Sequence, residues 1–352
     1  MRCLPLVPKN RQHGLSIVEL MVAMTIALVL LTGILQIFIS SRATYAAQES
    51  LSRVQESARF AMEFMKRDLR MAGNSGCGRR SNFSFSEIDP ISGTVKEFGD
   101  GEGLYIQRAA NTDFDPFDTV DLVTDNDTVV IRTTYMSSDS APVDGQTEDT
   151  ADFEISHNRP GLEKDQVAMI YDCRNGFGDI FTITDVQGNT DDFGMPSGGS
   201  VVNVAHGLSD NVDNRLRNEY SSTANVARVE SRWFFVGRRN DDAPPSLYTR
   251  RTTGQTLELV GNVEAIYASV GLRADADDET VDRYLPAADV SADEWRDVVA
   301  IRLRVVSRGD EVMQEERNFV YPIPGDNNPP EVTDRRLRQV FSSTITLRNT
   351  LP

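Results

Sequence analysis

From Leu20 to Ile39 the chain is apolar except at Thr25, Thr32, Gly33 and Gln36, and no charged residue falls between Glu19 and Arg42. At 1.5 Å of helical rise per residue, such a run spans about 30 Å, the thickness of a bilayer's hydrocarbon core. A helical pattern continues beyond it. Leu51, Val54, Ala58, Ala61, Met65 and Leu69 recur at steps of three and four, while Arg53, Glu56, Arg59, Glu63, Lys66 and Arg67 take much of the remainder. No proline lies between Pro8 and Pro90, so the pattern predicts one helix from about Leu15 to Met71, stopping at Gly73-Asn74. Two helices broken near Ser40-Ser41 are the alternative. In domain terms, residues 15–75 form the long helix, apolar and membrane-inserted over 15–41 and amphipathic over 42–72.

Past Gly76 the pattern changes to short apolar or alternating runs separated by turn residues. Expected strands are Gly103–Arg108, Thr128–Tyr135, Gln166–Asp172, Asp179–Asp185, Val226–Val236, Val263–Leu272 and Val298–Ser307. The acidic stretches Asp139–Asp152 and Asn189–Ser200 read as surface loops, and Pro322–Pro330 as a turn or linker before a last strand, Val340–Arg348. The fold class is α+β: a long N-terminal helix packed on a mostly antiparallel sheet, with residues 76–352 as a β-rich globular domain.

Charge refines the picture. The 352 residues carry 53 acids against 36 Lys and Arg, a formal net charge of −17. That excess argues against a nucleic-acid partner, which needs cations to displace counterions from phosphate. Arg2, Lys9 and Arg11 stand before the apolar run with no acid among the first fourteen residues, which predicts a cytoplasmic N-terminus and a periplasmic C-terminal domain. Three histidines and three cysteines leave little for a zinc or Cys/His catalytic site, and G-x-x-x-x-G-K-[ST], H-E-x-x-H, C-x-x-C and G-x-S-x-G are all missing. No catalytic residue is assigned. A membrane-anchored periplasmic enzyme, resting only on acid pairs such as Asp241-Asp242, is the weakest alternative. His157 and His206 read as solvated surface residues.

The junction at the start of the apolar run is the most specific feature. Gly14-Leu15-Ser16-Ile17-Val18-Glu19-Leu20 places one carboxylate at the fifth position after a glycine, beside hydrocarbon, where an unpaired acid is costly. A cleaved secretory signal fits poorly, because the run is too long and begins at a glutamate. The segment resembles the prepilin signature of the type IV pilin superfamily, with Leu15 in place of the usual phenylalanine. The resemblance implies a leader peptide of residues 1–14, cut after Gly14 by a prepilin peptidase, and methylation of the new amino group on Leu15. It further implies that Glu19 forms an assembly salt bridge with that amine.

Further segments, "DLRMAGNSGC", "YDCRNGFGDIFTIT", "WRDVVAIRLRVVSR" and "RRLRQVFSSTITLRN" among them, are similar in order to PilW-type minor pilins. This implies a non-catalytic subunit that helps initiate pilus assembly and joins the pilus tip complex. Its implied partners are other minor pilins, the major pilin, the prepilin peptidase, the inner-membrane assembly machinery, a tip adhesin and the inner membrane itself. It would be a single-pass inner-membrane protein that enters the pilus and reaches the cell surface with it. A J-type pseudopilin of type II secretion is the related alternative.

With Cys3 lost in the leader, Cys77 and Cys173 remain as an even pair, and in an oxidising periplasm they are expected to form a disulfide. No cofactor is expected, with one exception. Asp275, Asp277, Glu279 and Asp282 space their oxygens like the start of a calcium loop, but Thr280 stands where an EF-hand needs glycine, so a plain acidic hairpin tip is the competing reading.

Overall fold

The computed structural model describes residues 16–77, 84–87, 103–112, 120–147, 152–188, 190, 194–195, 201–208, 211, 215–251, 256–275 and 280–350. One helix, α1, runs unbroken over Ile17–Met71, 55 residues; the break near Ser40-Ser41 does not occur. The strands in chain order begin with β1 Ser84–Glu87, β2 Leu104–Arg108, β3 Asp121–Leu122, β4 Val129–Pro142, β5 Asp152–Ile155, β6 Val167–Asp172, β7 Phe177–Thr182 and β8 Asp185–Gln187. They continue with β9 Val202–Ala205, β10 Asn225–Arg238, β11 Ser246–Arg251, β12 Thr256–Gly261, β13 Val263–Leu272, β14 Arg283–Pro286, β15 Val298–Val320 and β16 Glu331–Thr346.

Three sheets result. The largest follows the order β1-β7-β6-β10-β11-β12, with β2, β3 and β4 joined through β4 and β10. A four-stranded sheet has the order β14-β13-β15-β16, and β5-β9-β8 form a small third one. Pairing is antiparallel except between β1 and β7. Strand β13 (VEAIYASVGL) is buried at every position. Its Ile266, Ala268 and Val270 face the helix-side core, while Ala265 and Tyr267 pack on Val306 and Tyr321 behind it. A strand buried on both faces reads as a continuous apolar run, which is how this one is written.

The main core lies where the C-terminal half of α1 crosses the sheets. Met65 and Leu69 meet Ile131, Phe234, Ile301 and Leu303 there. Burying side chains of this size contributes about 1.5–3 kcal/mol each. A second core, around Phe153, Phe181, Val204 and Tyr220, joins the small sheet to the large one.

Several elements depart from the sequence expectation. Strand β16 starts at Glu331 and not at Val340, and β15 extends through Val320. Their far halves carry charged residues on a ribbon with little apolar burial, so they give no alternating signal. Side chains hold them instead: Thr333 Oγ1 to Asn318 Oδ1 at 3.3 Å, and Arg338 to both Asp334 and Glu264 at 2.6 Å. Likewise β4 continues through Pro142 into a stretch expected to be loop, carried there by pairing with β10. The hairpin of β11 and β12 was not expected at all. Of its residues only Ser246–Thr249 and Val260 are buried, too short a signal beside Pro244-Pro245.

Candidate functional site

Two halves of one helix behave oppositely. Every large apolar residue from Ile17 to Ile39 is at least about half exposed, with Ile17 at 78% and Leu28 at 62%, whereas Val54, Ala58 and Ala61 are at 0%. Among the described residues, nothing in the chain covers the first half. A contiguous apolar surface of this size marks a membrane or protein contact, and its length and composition suit a membrane span. Its two threonine hydroxyls are pre-satisfied: that of Thr25 donates to Val22 O and that of Thr32 to Leu28 O, both at 2.8 Å. Such back-bonding leaves no hydroxyl donor unmet in hydrocarbon. Glu19 stands exposed in the first turn, where the helix dipole favours an anion. Gly14 and Leu15 lie outside the described residues.

The opposite end of α1 is fastened at several points. Ala72 N–H donates to Asp68 O, and Gly73 N–H donates to Thr134 O of β4 at 2.9 Å. Asn74 exchanges bonds with Met136: Met136 N–H to Asn74 O at 2.8 Å, and Asn74 Nδ2 to Met136 O at 3.2 Å. Gly73 has φ +74°, the left-handed conformation of a helix stop, and a Cβ on Gly103 would collide with its backbone. Asn349, near the end of the last sheet, donates to Met71 O at 3.2 Å and satisfies an orphan helix carbonyl. The buried Asp68 carboxylate accepts from Arg232 of β10 at 2.7 Å. Burial raises the Asp68 pKa above its ordinary value, and Arg232 only partly counters this. Tyr135, whose hydroxyl lies 3.5 Å from Glu230, is pushed up to about 12 by burial first and then by the charge of Asp68.

Just past the helix, Cys77 is bonded to Cys173, with Cα atoms 5.1 Å apart. Asp172 shapes the turn that presents Cys173, accepting from Arg174 N–H at 2.8 Å and Thr223 Oγ1 at 2.6 Å. Burial pushes the Asp172 pKa up, but these bonds together with those from Asn175 outweigh it and leave it lowered. The disulfide thus ties the segment leaving α1 to the β6–β7 turn.

Of the calcium candidates, Asp277 and Glu279 lie outside the described residues. Asp275 is exposed, and Asp282 N–H donates to Leu272 O at 2.8 Å in a hairpin connection. Among the described residues there is no group of three or more acids, histidines or cysteines placed to hold a metal. His206 is a correction: it is 1% exposed and packs against Phe153 and Phe181 at 5.8 and 5.3 Å. Its neighbours in sequence, Ala205 and Gly207, give no sign of an aromatic pocket, and only the fold brings the two phenylalanines to it.

Sequence reasoning also missed an excursion of β15. Between Arg308 and Arg317 the strand advances nine positions while its partner retreats only from Arg338 to Asp334. The excess lies along α1. Gly309 stands so close to Ser50 that a Cβ there would collide with its hydroxyl, and Met313, Glu315, Arg317 and Arg335 face Phe38, Ile39 and Arg42 across a groove of about 750 Å³. Charged residues flanking Gly309 were the only signal of it.

Comparison with known proteins adds two matches. The family model "Prokaryotic N-terminal methylation motif" matches residues 9–35, which include the Gly14–Glu19 junction and the exposed apolar turns. The model "Type IV Pilus-assembly protein W" matches residues 233–349, which include the whole four-stranded sheet and Asn349. No curated protein and no solved structure matches the chain. The prepilin motif at one end and the pilus-assembly domain over residues 233–349 at the other together support a PilW-type minor pilin of the type IV pilin superfamily.

Proposed function

We propose that this minor pilin helps initiate type IV pilus assembly at the inner membrane and takes a place in the pilus tip complex. The observation that supports this best is the division of α1. Its first half presents an apolar surface that nothing else among the described residues covers, while its second half is clamped into the β domain. A rigid helix of this kind stores the subunit in the bilayer and can exchange lipid for neighbouring pilin helices without the β domain changing. Residues 1–14 are the leader, cut after Gly14, and Leu15 becomes the methylated N-terminus. Glu19 pairs with the N-terminal amine. Burying carboxylate and ammonium together costs far less than burying either alone, so the pair sets register as the subunit enters the bundle. Residues 76–352 face the periplasm and choose lateral partners among other minor pilins, the major pilin and a tip adhesin.

Intact-mass analysis of the membrane-extracted protein tests the processing step: the expected mature chain begins at methyl-Leu15, and a chain beginning near Ala47 would refute it. Glu19→Ala tests the pairing. The variant is expected to insert normally but to be depleted from sheared pili, and wild-type recovery in pili would overturn the role given to Glu19.

A further inference from the structure

We infer that a polar basin at the C-terminal end of α1 is a docking site for a short acidic peptide segment of another subunit. The basin, about 870 Å³, lies between the last turns of the helix, β10, the end of β11 and the residues after β16. Lys66, Arg67, Arg70, Arg251 and Arg348 line it, and among the described residues none of the five makes an ion pair. Two of the acids nearby are already engaged: Asp68 with Arg232 at 2.7 Å and Glu230 with Arg228 at 2.6 Å. That leaves Glu63 alone against five cations, in a chain whose net charge is −17.

Of the five, Arg67 also feels the charge of the neighbouring Asp68, and such a concentration of cations without ion pairs is not needed by the fold. Arg70, Arg251 and Arg348 are exposed. Guanidinium forks suit carboxylates, which they bind with two parallel hydrogen bonds. A long polyanion such as nucleic acid would be repelled by the acidic remainder of the surface, whereas a short segment feels mainly the local field within a Debye length of about 8–10 Å. The occupant that fits is therefore a few consecutive Asp or Glu residues carried by a neighbouring protein. No described segment of this chain fills the basin. This surface stands apart from the assembly reading, since neither leader cleavage nor Glu19 enters the argument.

The test uses the full-length protein in detergent micelles at about 0.1 M salt, where the Debye length is about 10 Å, and a fluorescein-labelled hexaglutamate peptide read by anisotropy. The triple variant Arg70→Gln, Arg251→Gln, Arg348→Gln is expected to bind about tenfold more weakly, three exposed charge contacts each contributing about twofold. A control variant, Arg159→Gln, Lys164→Gln, Arg174→Gln, removes the same charge elsewhere and is expected to bind like wild type. Equal weakening in both variants would reduce the effect to net charge and overturn the site, as would absence of binding by wild type. Tighter binding of an oligothymidine of equal charge, lost in the same triple variant, would assign the basin to nucleic acid instead. Each result is independent of filament entry, so its failure leaves the assembly proposal standing.

Discussion

Replacing Cys77 and Cys173 together by alanine removes a crosslink across a sequence separation of 96 residues. In the loop-entropy account, closing a loop of that length costs the unfolded chain about 4.7 kcal/mol at 25 °C. Little else is lost with the sulfurs. Cys173 is exposed on its turn, and Cys77 is half-buried beside Met136 and Tyr171. Engineered and native bridges often deliver somewhat less than the entropy alone, so the expected destabilisation is about 3–5 kcal/mol. The assay is urea unfolding of the full chain in micelles, followed by the fluorescence of Trp233 and Trp295. With a slope of about 3 kcal/mol/M, the midpoint falls by about 1–1.7 M. Reduced wild type should unfold with the double variant, and added reductant should leave the variant unchanged. A loss below about 1 kcal/mol would refute the reasoning, because the helix exit would then be held by the Gly73, Asn74 and Asn349 hydrogen bonds alone.

Other outcomes follow from the same contacts. Arg232→Met strands the Asp68 carboxylate in the core and should cost about 3–5 kcal/mol at neutral pH. Because burial already raises the Asp68 pKa, the folded state holds that proton more tightly than the unfolded one, so the deficit should shrink as pH falls toward 4, measured by urea midpoints. His206, buried and with its pKa lowered by that burial, should destabilise the fold as pH drops below about 6.5, where the unfolded chain takes up the proton first. His206→Leu should flatten that limb of the stability profile. Met65→Ala, at a fully buried position on the helix face, should cost about 2–5 kcal/mol and loosen α1 from the sheets, read as faster hydrogen exchange in its last turns. If the Asp275–Asp282 connection binds Ca²⁺, the melting midpoint should rise at millimolar calcium, and Asp275→Asn with Asp277→Asn should abolish the rise.

The long helix, its apolar half and the Gly14–Glu19 junction were legible in the sequence because each is a local property. A run of apolar residues must meet lipid or another helix whatever the rest of the chain does, and a 3.6-residue period marks which side of Val54–Leu69 is buried. Strands β13 and the first half of β15 were legible for the same reason, since their burial is written residue by residue. What the tertiary structure alone decided depends on groups distant in the chain. The far halves of β15 and β16 are held by Arg338 bridging Asp334 and Glu264, and no periodicity announces an ion pair across 74 positions. The burial of His206 needs Phe153 and Phe181, brought in by two different sheets. The basic basin gathers the end of the helix, β11 and the residues after β16, so its five cations look in sequence like scattered solvated charges. Local free energies are additive along the chain and can be read from it, whereas these features arise from contacts whose partners the fold must first bring together.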